Sequence, residues 1–504
     1  MSTNISEPPD DEGACETTRF VGGACFISGM TLVFSVPREA VADEVSLNSE
    51  VGSESDIGSE IRELQELLTR QTSQLAEQQK LITSQQEEID KQRELLRSVQ
   101  VQIDHLAADQ IVESGQANAG QSQQSKRLDE LIATQPESTR LGEDFTGSIP
   151  IPGTEAAVKI SGFAKMSMVN TLDPLGSGDR FVAGLIPVEG TGSAAGDGEV
   201  RVSARQSRLN IEIRDSTSYG PLRAFIEGDF AGNGDTFRLR HGFGQFRRFL
   251  AGKTWSTMVD NRATPEEVDF EGINGRIQVR QAQVRYFPSF GRDLDLLIGL
   301  EDPAPDVTGG RGVSQYPDVV VSVRRNWADR WHIKTSLLLR QIEAKWDLDS
   351  SVSDRQIGWG VSVSGRVGLD LWDERDNILF QFNYGDGIGR YINDLQEVGG
   401  QDAVFNPQTG ELETLPVVSG YVAFQHWWQG SLRSTLTYSW VDVENLAFQI
   451  DSDYARTDRA IINLLWSPVS RVDVGGELLW GKRENRDGTS ATARQIQFGI
   501  KYRF

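Results

Sequence analysis

The chain has 504 residues, of which 38% are hydrophobic, and a formal net charge of −23. The charge argues against nucleic acid as a partner, because binding to a phosphate backbone requires a surplus of lysine and arginine. Beyond the N-terminal segment no run of about 18 apolar residues occurs, which excludes a helical membrane protein. A barrel stays open, because its strands need apolar residues only at alternate positions.

Residues 1–42 have the order of a signal peptide preceded by an acidic extension. Arg19 precedes an apolar run at 20–36, and small residues then lead to Ala40-Val41-Ala42. A positive charge, an apolar run and an A-x-A site in this order predict cleavage after Ala42. A short membrane anchor is the alternative, but the run is short for a span and lacks a stop-transfer flank.

Residues that commonly hold metals are few. Both cysteines, Cys15 and Cys25, precede the cleavage site, so the mature chain would have neither a disulfide nor a thiolate metal site. No metal-ligand spacing relates the four histidines, which are His105, His241, His332 and His426. We therefore expect no metal, no other cofactor and no catalytic group.

Residues 61–106, which follow a linker at 43–60, repeat with a period of seven. One position of the repeat is apolar throughout: Ile61, Leu68, Leu75, Ile82, Ile89, Leu96 and Ile103. Three residues later the repeat carries glutamine in successive layers: Gln71, Gln78, Gln85 and Gln92. These are the a and d positions of a left-handed coiled coil. Because a lone helix with polar d layers buries too little surface, we predict an oligomeric stalk, either a dimer or a trimer.

After a glutamine- and serine-rich tether at 107–156, residues 157–504 are predicted to form an all-β transmembrane barrel of about 16 antiparallel strands. The alternation is clearest near the C-terminus, where polar residues and a glycine separate Ile496, Phe498, Ile500, Tyr502 and Phe504. A two-residue period indicates a strand with one face in lipid and one in water. A strand of a soluble sandwich is the alternative, but tryptophan and tyrosine near many strand ends are typical of membrane interfaces. Phe504 also resembles the terminal aromatic signal of outer-membrane proteins.

The predicted strands are joined alternately by long and short connections, as in outer-membrane barrels. They begin near Val158, Arg205, Pro221, Thr236, Phe249, Arg276, Asp293, Asp318, Trp331, Arg355, Asp376, Val418, Ser431, Tyr454, Arg471 and Ala491. Long connections are expected at 171–203, 256–275, 302–317 and 385–417. In the fourth strand we expect Phe237, Leu239 and Phe243 to face lipid, and Arg238 and Arg240 to face the lumen.

The polar strand faces are expected to point into the lumen, because lipid tolerates no unpaired polar group. The candidate pore-lining residues are Arg205, Arg208, Arg214, Arg223, Arg238, Arg240, Arg280 and Arg285. A guanidinium group is always charged and matches a carboxylate, so a wall of them would attract anions and delay cations. The alternative is that each arginine pairs with a nearby acid, for which Glu212, Glu227 and Asp229 are available.

The connection at 256–275 carries a set of acids: Asp260, Glu266, Glu267, Asp269 and Glu271. We hypothesise that this segment folds inward as a constriction loop, as the corresponding connection does in general porins. Acids opposite an arginine wall would then give a transverse field. The alternative is an acidic loop that is simply solvated at the surface.

Several motifs resemble those of the DcaP-like outer-membrane porins. They are Arg205-Gln206-Ser207-Arg208-Leu209, Glu227-Gly228-Asp229-Phe230, Arg238-Leu239-Arg240-His241, Ala251 to Thr257, Pro265 to Gly272, and Val279 to Tyr286. The resemblance is dense over 158–290 and loose afterward, and 385–417 matches no motif. It implies a homotrimer of sixteen-stranded channels with a periplasmic helical extension. It also implies uptake of dicarboxylates and other small anions.

The expected function is a porin-type channel for diffusion of small organic anions, held in outer-membrane lipid with its stalk in the periplasm. The stalk could there contact a periplasmic or cell-wall partner. A structural or adhesin anchor is one alternative, but about 340 residues suffice for a closed pore from one chain. A barrel enzyme is another, but His241, His332 and His426 lack an evident serine or aspartate constellation.

Overall fold

The computed structural model describes residues 145–189, 198–288, 293–327, 330–369, 371–399 and 401–504. The predicted signal peptide, linker and stalk, and most of the tether, lie outside the described residues. Within the described part, no helix has the length and apolar character needed to cross a membrane.

The regular secondary structure of the described residues consists almost entirely of β-strands. Its strands are Ile149–Pro150 (β1), Ala157–Thr171 (β2), Val200–Ser203 (β3), Arg208–Thr217 (β4), Gly220–Asp229 (β5), Arg238–Phe246 (β6), Phe249–Trp255 (β7), Arg280–Tyr286 (β8), Leu294–Glu301 (β9), Val307–Thr308 (β10), Gly310–Gly312 (β11), Asp318–Trp327 (β12), Trp331–Trp346 (β13), Ser353–Gly368 (β14), Asn377–Asp386 (β15), Ala403–Phe405 (β16), Leu412–Thr414 (β17), Pro416–Gln429 (β18), Leu432–Val443 (β19), Tyr454–Val469 (β20), Val472–Asn485 (β21) and Ser490–Arg503 (β22). One α-helix, Asn393–Val398 (α1), and three short 3-10 helices, Ala183–Leu185, Asn233–Asp235 and Gly389–Tyr391, lie in the connections.

Seventeen of these segments form the sixteen strands of a closed antiparallel barrel, because β3 and β4 both pair with β2 and are two parts of one strand. The wall closes between β2 and β22, where Phe163 is opposite Arg503. Gly162 and Phe504 exchange backbone hydrogen bonds of 3.2 Å in both directions. The prediction of about sixteen strands is confirmed, and the predicted starts fall within about four residues of the observed ones.

The lipid-facing and lumen-facing residues alternate as predicted in most strands. In β22, Phe498 is 53% exposed on the outer face, whereas Gln497 is fully buried on the inner face. Leu209, Ile211 and Ile213 are likewise exposed on β4. The alternation is therefore imposed by two different surroundings, lipid outside and a packed, polar interior inside.

The predicted face of Phe243 in β6 is wrong. Pairing with β5 shifts between Glu227 and Gly228, so β6 has one more residue than its partner there. Such a bulge changes the side on which the following residues point. Arg240 and His241 are consequently both buried although adjacent, and Phe243 packs inside the barrel against Phe225, with 5.5 Å between the ring centroids.

Connections that fold inward fill part of the barrel. Two of them are residues 256–279, between β7 and β8, and residues 387–399 and 401–415, between β15 and β18. Their apolar side chains form one buried cluster with inward-facing residues of the wall: Trp255, Met258, Val259, Ile277, Val279, Val320, Leu338, Ile388, Tyr391, Ile392, Leu395, Val404, Leu415, Val417, Val441, Val443 and Tyr454. The segment that matched no sequence motif is thus part of the interior packing.

Candidate functional site

Residues 256–279, here called the inner loop, cross the interior and are tied to strands on the far side of the wall. Near the start, the carbonyl of Thr257 accepts hydrogen bonds from Ser322 at 2.9 Å and from Lys334 at 2.8 Å. Near the end, the amide of Ile277 donates to Gln381 at 3.0 Å. The loop is therefore fastened at both ends as well as by its own packing.

At Gly275 the backbone of the inner loop lies directly against the wall. A Cβ atom at this position would lie 2.3 Å from the carbonyl oxygen of Trp440 and 2.5 Å from that of Gly420. No side chain fits such a gap, so glycine allows the backbone itself to lie against the wall.

The acids of the inner loop are paired with arginines. Glu266 contacts Arg433 at 2.5 Å. Glu267 and Asp269 both contact Arg459, at 3.0 and 3.1 Å. These arginines project from β19 and β20. Most of the negative charge on the loop is consequently neutralised by these two arginines.

The two remaining acids of the loop differ in their surroundings. Asp260 is buried and accepts hydrogen bonds from His332 at 2.9 Å and Ser364 at 2.7 Å. Glu271 contacts Arg180 at 2.9 Å, and Arg180 also contacts Glu397 of α1 at 2.8 Å. Burial raises the pKa of Glu271 to about 7, against the opposing effect of the Arg180 charge. Three connections therefore meet at the guanidinium of Arg180.

A cavity of about 500 Å³ lies beside the inner loop. Its lining is rich in cationic side chains from the wall: Lys165, Arg208, Arg238, Arg240, Lys253, Arg280, Arg433, Lys501 and Arg503. Glu266, Glu267, Asp269 and Glu271 line it from the loop side. Four of the arginines predicted to line the lumen, namely Arg208, Arg238, Arg240 and Arg280, are thus brought together here.

Two carboxylates on β5 form ion pairs with three of these four arginines. Asp229 contacts Arg238 at 3.0 Å and Arg240 at 2.9 Å. Glu227 contacts Arg240 at 3.0 Å and is 3.8 Å from Arg208. The alternative of paired arginines therefore holds for most of the cluster.

Arg280 differs from its neighbours. Among the described residues, its Nη1 atom is buried and has no hydrogen-bond partner. Its guanidinium lies over the ring of Trp255, 4.5 Å from the centroid, and Trp255 is the residue opposite it in the β7–β8 register. An aromatic ring attracts a cation but does not neutralise its charge. Arg280 is accordingly a guanidinium with unused donors on a cation-rich cavity.

The other four predicted pore-lining arginines lie away from this cavity. Arg214 and Arg223 share Glu212, each at 2.7 Å. Arg205 contacts Asp179 at 3.3 Å. Arg285 is buried and donates to Thr257 at 2.9 Å.

Sequence reasoning missed several residues of the site. Lys165 and Lys501 face inward on β2 and β22, and the two-residue period of those strands was a signal that could have identified them. Arg180 lies in a connection, where no period indicates direction. Within the described residues, no group of histidine, cysteine, aspartate or glutamate is arranged to hold a metal ion.

The closed sixteen-stranded wall, the inner loop and the basic cavity beside it define an outer-membrane porin channel. Residues 150–504 match the family model described as DcaP outer membrane protein, and the chain belongs to that family. The resemblance seen in the sequence is therefore confirmed. No curated protein sequence gives a significant match.

The chain is similar to several solved structures. The outer membrane channel DcaP of Acinetobacter baumannii is 22% identical, with a TM-score of 0.63 over 71% of this chain and 100% of that chain. The anion-selective porin from Comamonas acidovorans is 12% identical, with a TM-score of 0.46 over 69% of this chain and 100% of that chain. OmpT of Vibrio cholerae is 11% identical, with a TM-score of 0.45 over 70% of this chain and 99% of that chain.

Proposed function

We propose that the chain is a passive channel for small anionic solutes, dicarboxylates among them. The observation that carries this proposal is Arg280, which has unused donors in a cavity where Arg208, Arg238 and Arg240 share two carboxylates. A buried guanidinium without a carboxylate partner attracts an anion more strongly than one that is already paired.

Passage requires that binding be strong enough for entry and weak enough for release. A carboxylate arriving at Arg280 exchanges water for charge-assisted hydrogen bonds, each worth roughly 1.5–3 kcal/mol. Arg238 is more than a third exposed and lines the same cavity, so it offers a second, weaker site for the other end of a diacid. Several weak sites in series keep release fast.

Cations gain little in the same cavity. The loop acids that could attract them are occupied by Arg433, Arg459 and Arg180. The net field in the opening is therefore that of the wall cations, and a low-dielectric surrounding screens it less than water does.

The test is the reversal potential of the channel in a planar bilayer under a salt gradient. Arg280→Gln is expected to reduce the preference for chloride over potassium and to slow uptake of a small diacid. Arg471→Gln, at an exposed turn residue, is the matched control and is expected to leave both unchanged. An unaltered reversal potential in Arg280→Gln would contradict the proposal.

We also propose that the functional unit is a homotrimer whose stalk, residues 61–106, extends into the periplasm. Support comes from the apolar heptad positions and from the sequence resemblance to trimeric porins. Cross-linking of the full chain in outer-membrane extracts, compared with a variant lacking 61–106, tests the contribution of the stalk. A full chain that cross-links only to dimers would contradict the trimer.

A further inference from the structure

Val268, at the tip of the inner loop, is held by the wall through its amide, its carbonyl and its side chain. Its amide donates to Glu477 of β21 at 2.8 Å. Its carbonyl accepts from Nζ of Lys165 on β2 at 2.7 Å. The side chain is 4% exposed and lies against Gly475 of β21 and Gly499 of β22.

The two glycines form a notch that a side chain would fill. A Cβ atom on Gly475 would lie 2.8 Å from Cγ2 of Val268, and one on Gly499 would lie 3.1 Å from Cγ1 of Val268. Neither glycine has a positive φ, so the backbone does not require glycine at either position. Glycine inside a strand weakens it and often marks the close approach of another group. At Gly499 the approaching group is Val268, and at Gly475 it is Val268 together with Leu465, whose Cδ2 atom would lie 2.5 Å from the added Cβ.

Glu477 fixes the direction of the tip. Its buried carboxylate accepts the amide of Val268 at 2.8 Å, the amide of Asp269 at 3.1 Å and the side chain of Asn463 at 3.0 Å. Two consecutive backbone amides on one carboxylate leave the loop little freedom to rotate at this point.

The same residues border the cavity beside the inner loop. Val268, Lys165, Gly475 and Gly499 all line the cavity that contains Arg208 and Arg280. We propose that the seating of Val268 in the Gly475–Gly499 notch sets the width of the pore, an inference that rests on the proposed channel function. A tip displaced from the notch moves into the cavity and narrows the passage.

The proposal is tested with the full chain in planar bilayers. Gly499→Val adds a branched side chain at the notch and is expected to lower single-channel conductance to about half or less and to reduce the size of neutral polymer that enters. Val268→Ala, added to that variant, removes the two methyl groups that collide and is expected to restore both quantities. The matched control is Gly244→Val, because a Cβ there would meet only the carbonyl of Arg223, at 4.0 Å.

Folding is monitored by the heat-dependent gel mobility of each variant. Wild-type conductance in folded Gly499→Val, or a fall that Val268→Ala does not relieve, would overturn the inference. The proposed function would be contradicted by a different result, namely a wild-type channel that does not prefer anions. Failure of the notch proposal and failure of the proposed function can therefore be distinguished. If Gly499→Val does not fold, Val268→Ala is tested alone. The tip then lacks the two methyl groups that seat it, so a lower and noisier conductance is expected, and an unchanged conductance would contradict the proposal.

Discussion

The guanidinium of Arg280 lies over the indole ring of Trp255, its register partner across β7 and β8, with 4.5 Å between Cζ and the ring centroid. Trp255 also contacts the ring of His241 edge to face, at 5.6 Å. The ring therefore holds the arginine in place without using any of its donors.

Trp255→Leu is expected to weaken anion binding in the channel without reversing its selectivity. Loss of the cation–π contact, worth about 0.5–2 kcal/mol, frees Arg280 to adopt other rotamers. The measurement is the concentration of a small diacid that half-blocks chloride current, which should rise several-fold. Trp428→Leu, an exposed tryptophan of β18, is the control. A half-blocking concentration equal to that of wild type would show that the ring does not position Arg280.

Replacement of Arg208, Arg238 and Arg240 together by glutamine is expected to abolish anion preference and to favour cations. The three arginines form ion pairs with Glu227 and Asp229, so their replacement leaves these two carboxylates without those ion pairs beside the cavity. Reversal potentials in a salt gradient measure the change.

A companion variant separates charge from structural damage in that experiment. Adding Glu227→Gln and Asp229→Asn to the triple variant removes the negative charge, and Arg280 should then restore a weaker anion preference. If the variant with all five substitutions stays cation-selective, the electric field that selects ions does not originate from these five side chains.

The anion preference of the wild-type channel is expected to increase as pH falls from about 8 to 6. Burial raises the pKa of Glu271 from its ordinary 4.5 to about 7, despite Arg180, so this carboxylate loses its charge in that interval. Neutral Glu271 leaves more of the Arg180 charge to act on the cavity. Glu271→Gln should show high anion preference at every pH in this range. Equal pH dependence in the variant and wild type would assign the effect to another group.

Stability should change in the same interval. The pKa of Glu271 is raised in the folded state above its ordinary value of 4.5. Its protonation therefore contributes stability that is fully present below about pH 4.5 and is lost as the pH rises through about 7. The melting temperature of wild type should therefore fall relative to that of Glu271→Gln between pH 5 and pH 8.

A chain lacking residues 43–140 is expected to form a conducting barrel. The wall closes through pairing of β2 with β22 and of β2 with β4, all of which follow the deleted segment. Bilayer conductance with wild-type selectivity is the expected result. Failure of the shortened chain to fold, judged by heat-dependent gel mobility, would mean that the N-terminal segment is needed for assembly.

The wall was predictable from the sequence because lipid and lumen impose a two-residue period, as Leu209 and Ile211 show. The two-residue period gave the wrong face for Phe243, because the bulge opposite Gly228 depends on how β5 and β6 pair. The partners of Arg238 and Arg240 depend on the same register, so the sequence could not show that Arg280, unlike those two, forms no ion pair with a carboxylate of the described residues. The contact of Arg180 with Glu397 joins two connections far apart in the chain, for which no pattern exists.

The apolar cluster inside the barrel has a consequence for the heat capacity of the protein. Removal of lipid leaves Ile277, Tyr391 and Leu395 covered, since they are enclosed by the wall, and only unfolding brings them into water. Each Å² of apolar surface that becomes hydrated adds about 0.45 cal/mol/K to the heat capacity. Calorimetry in detergent should therefore record a positive step on unfolding and a curved dependence of stability on temperature. In this respect the barrel should behave like a water-soluble domain whose core happens to be wrapped in a membrane-spanning sheet.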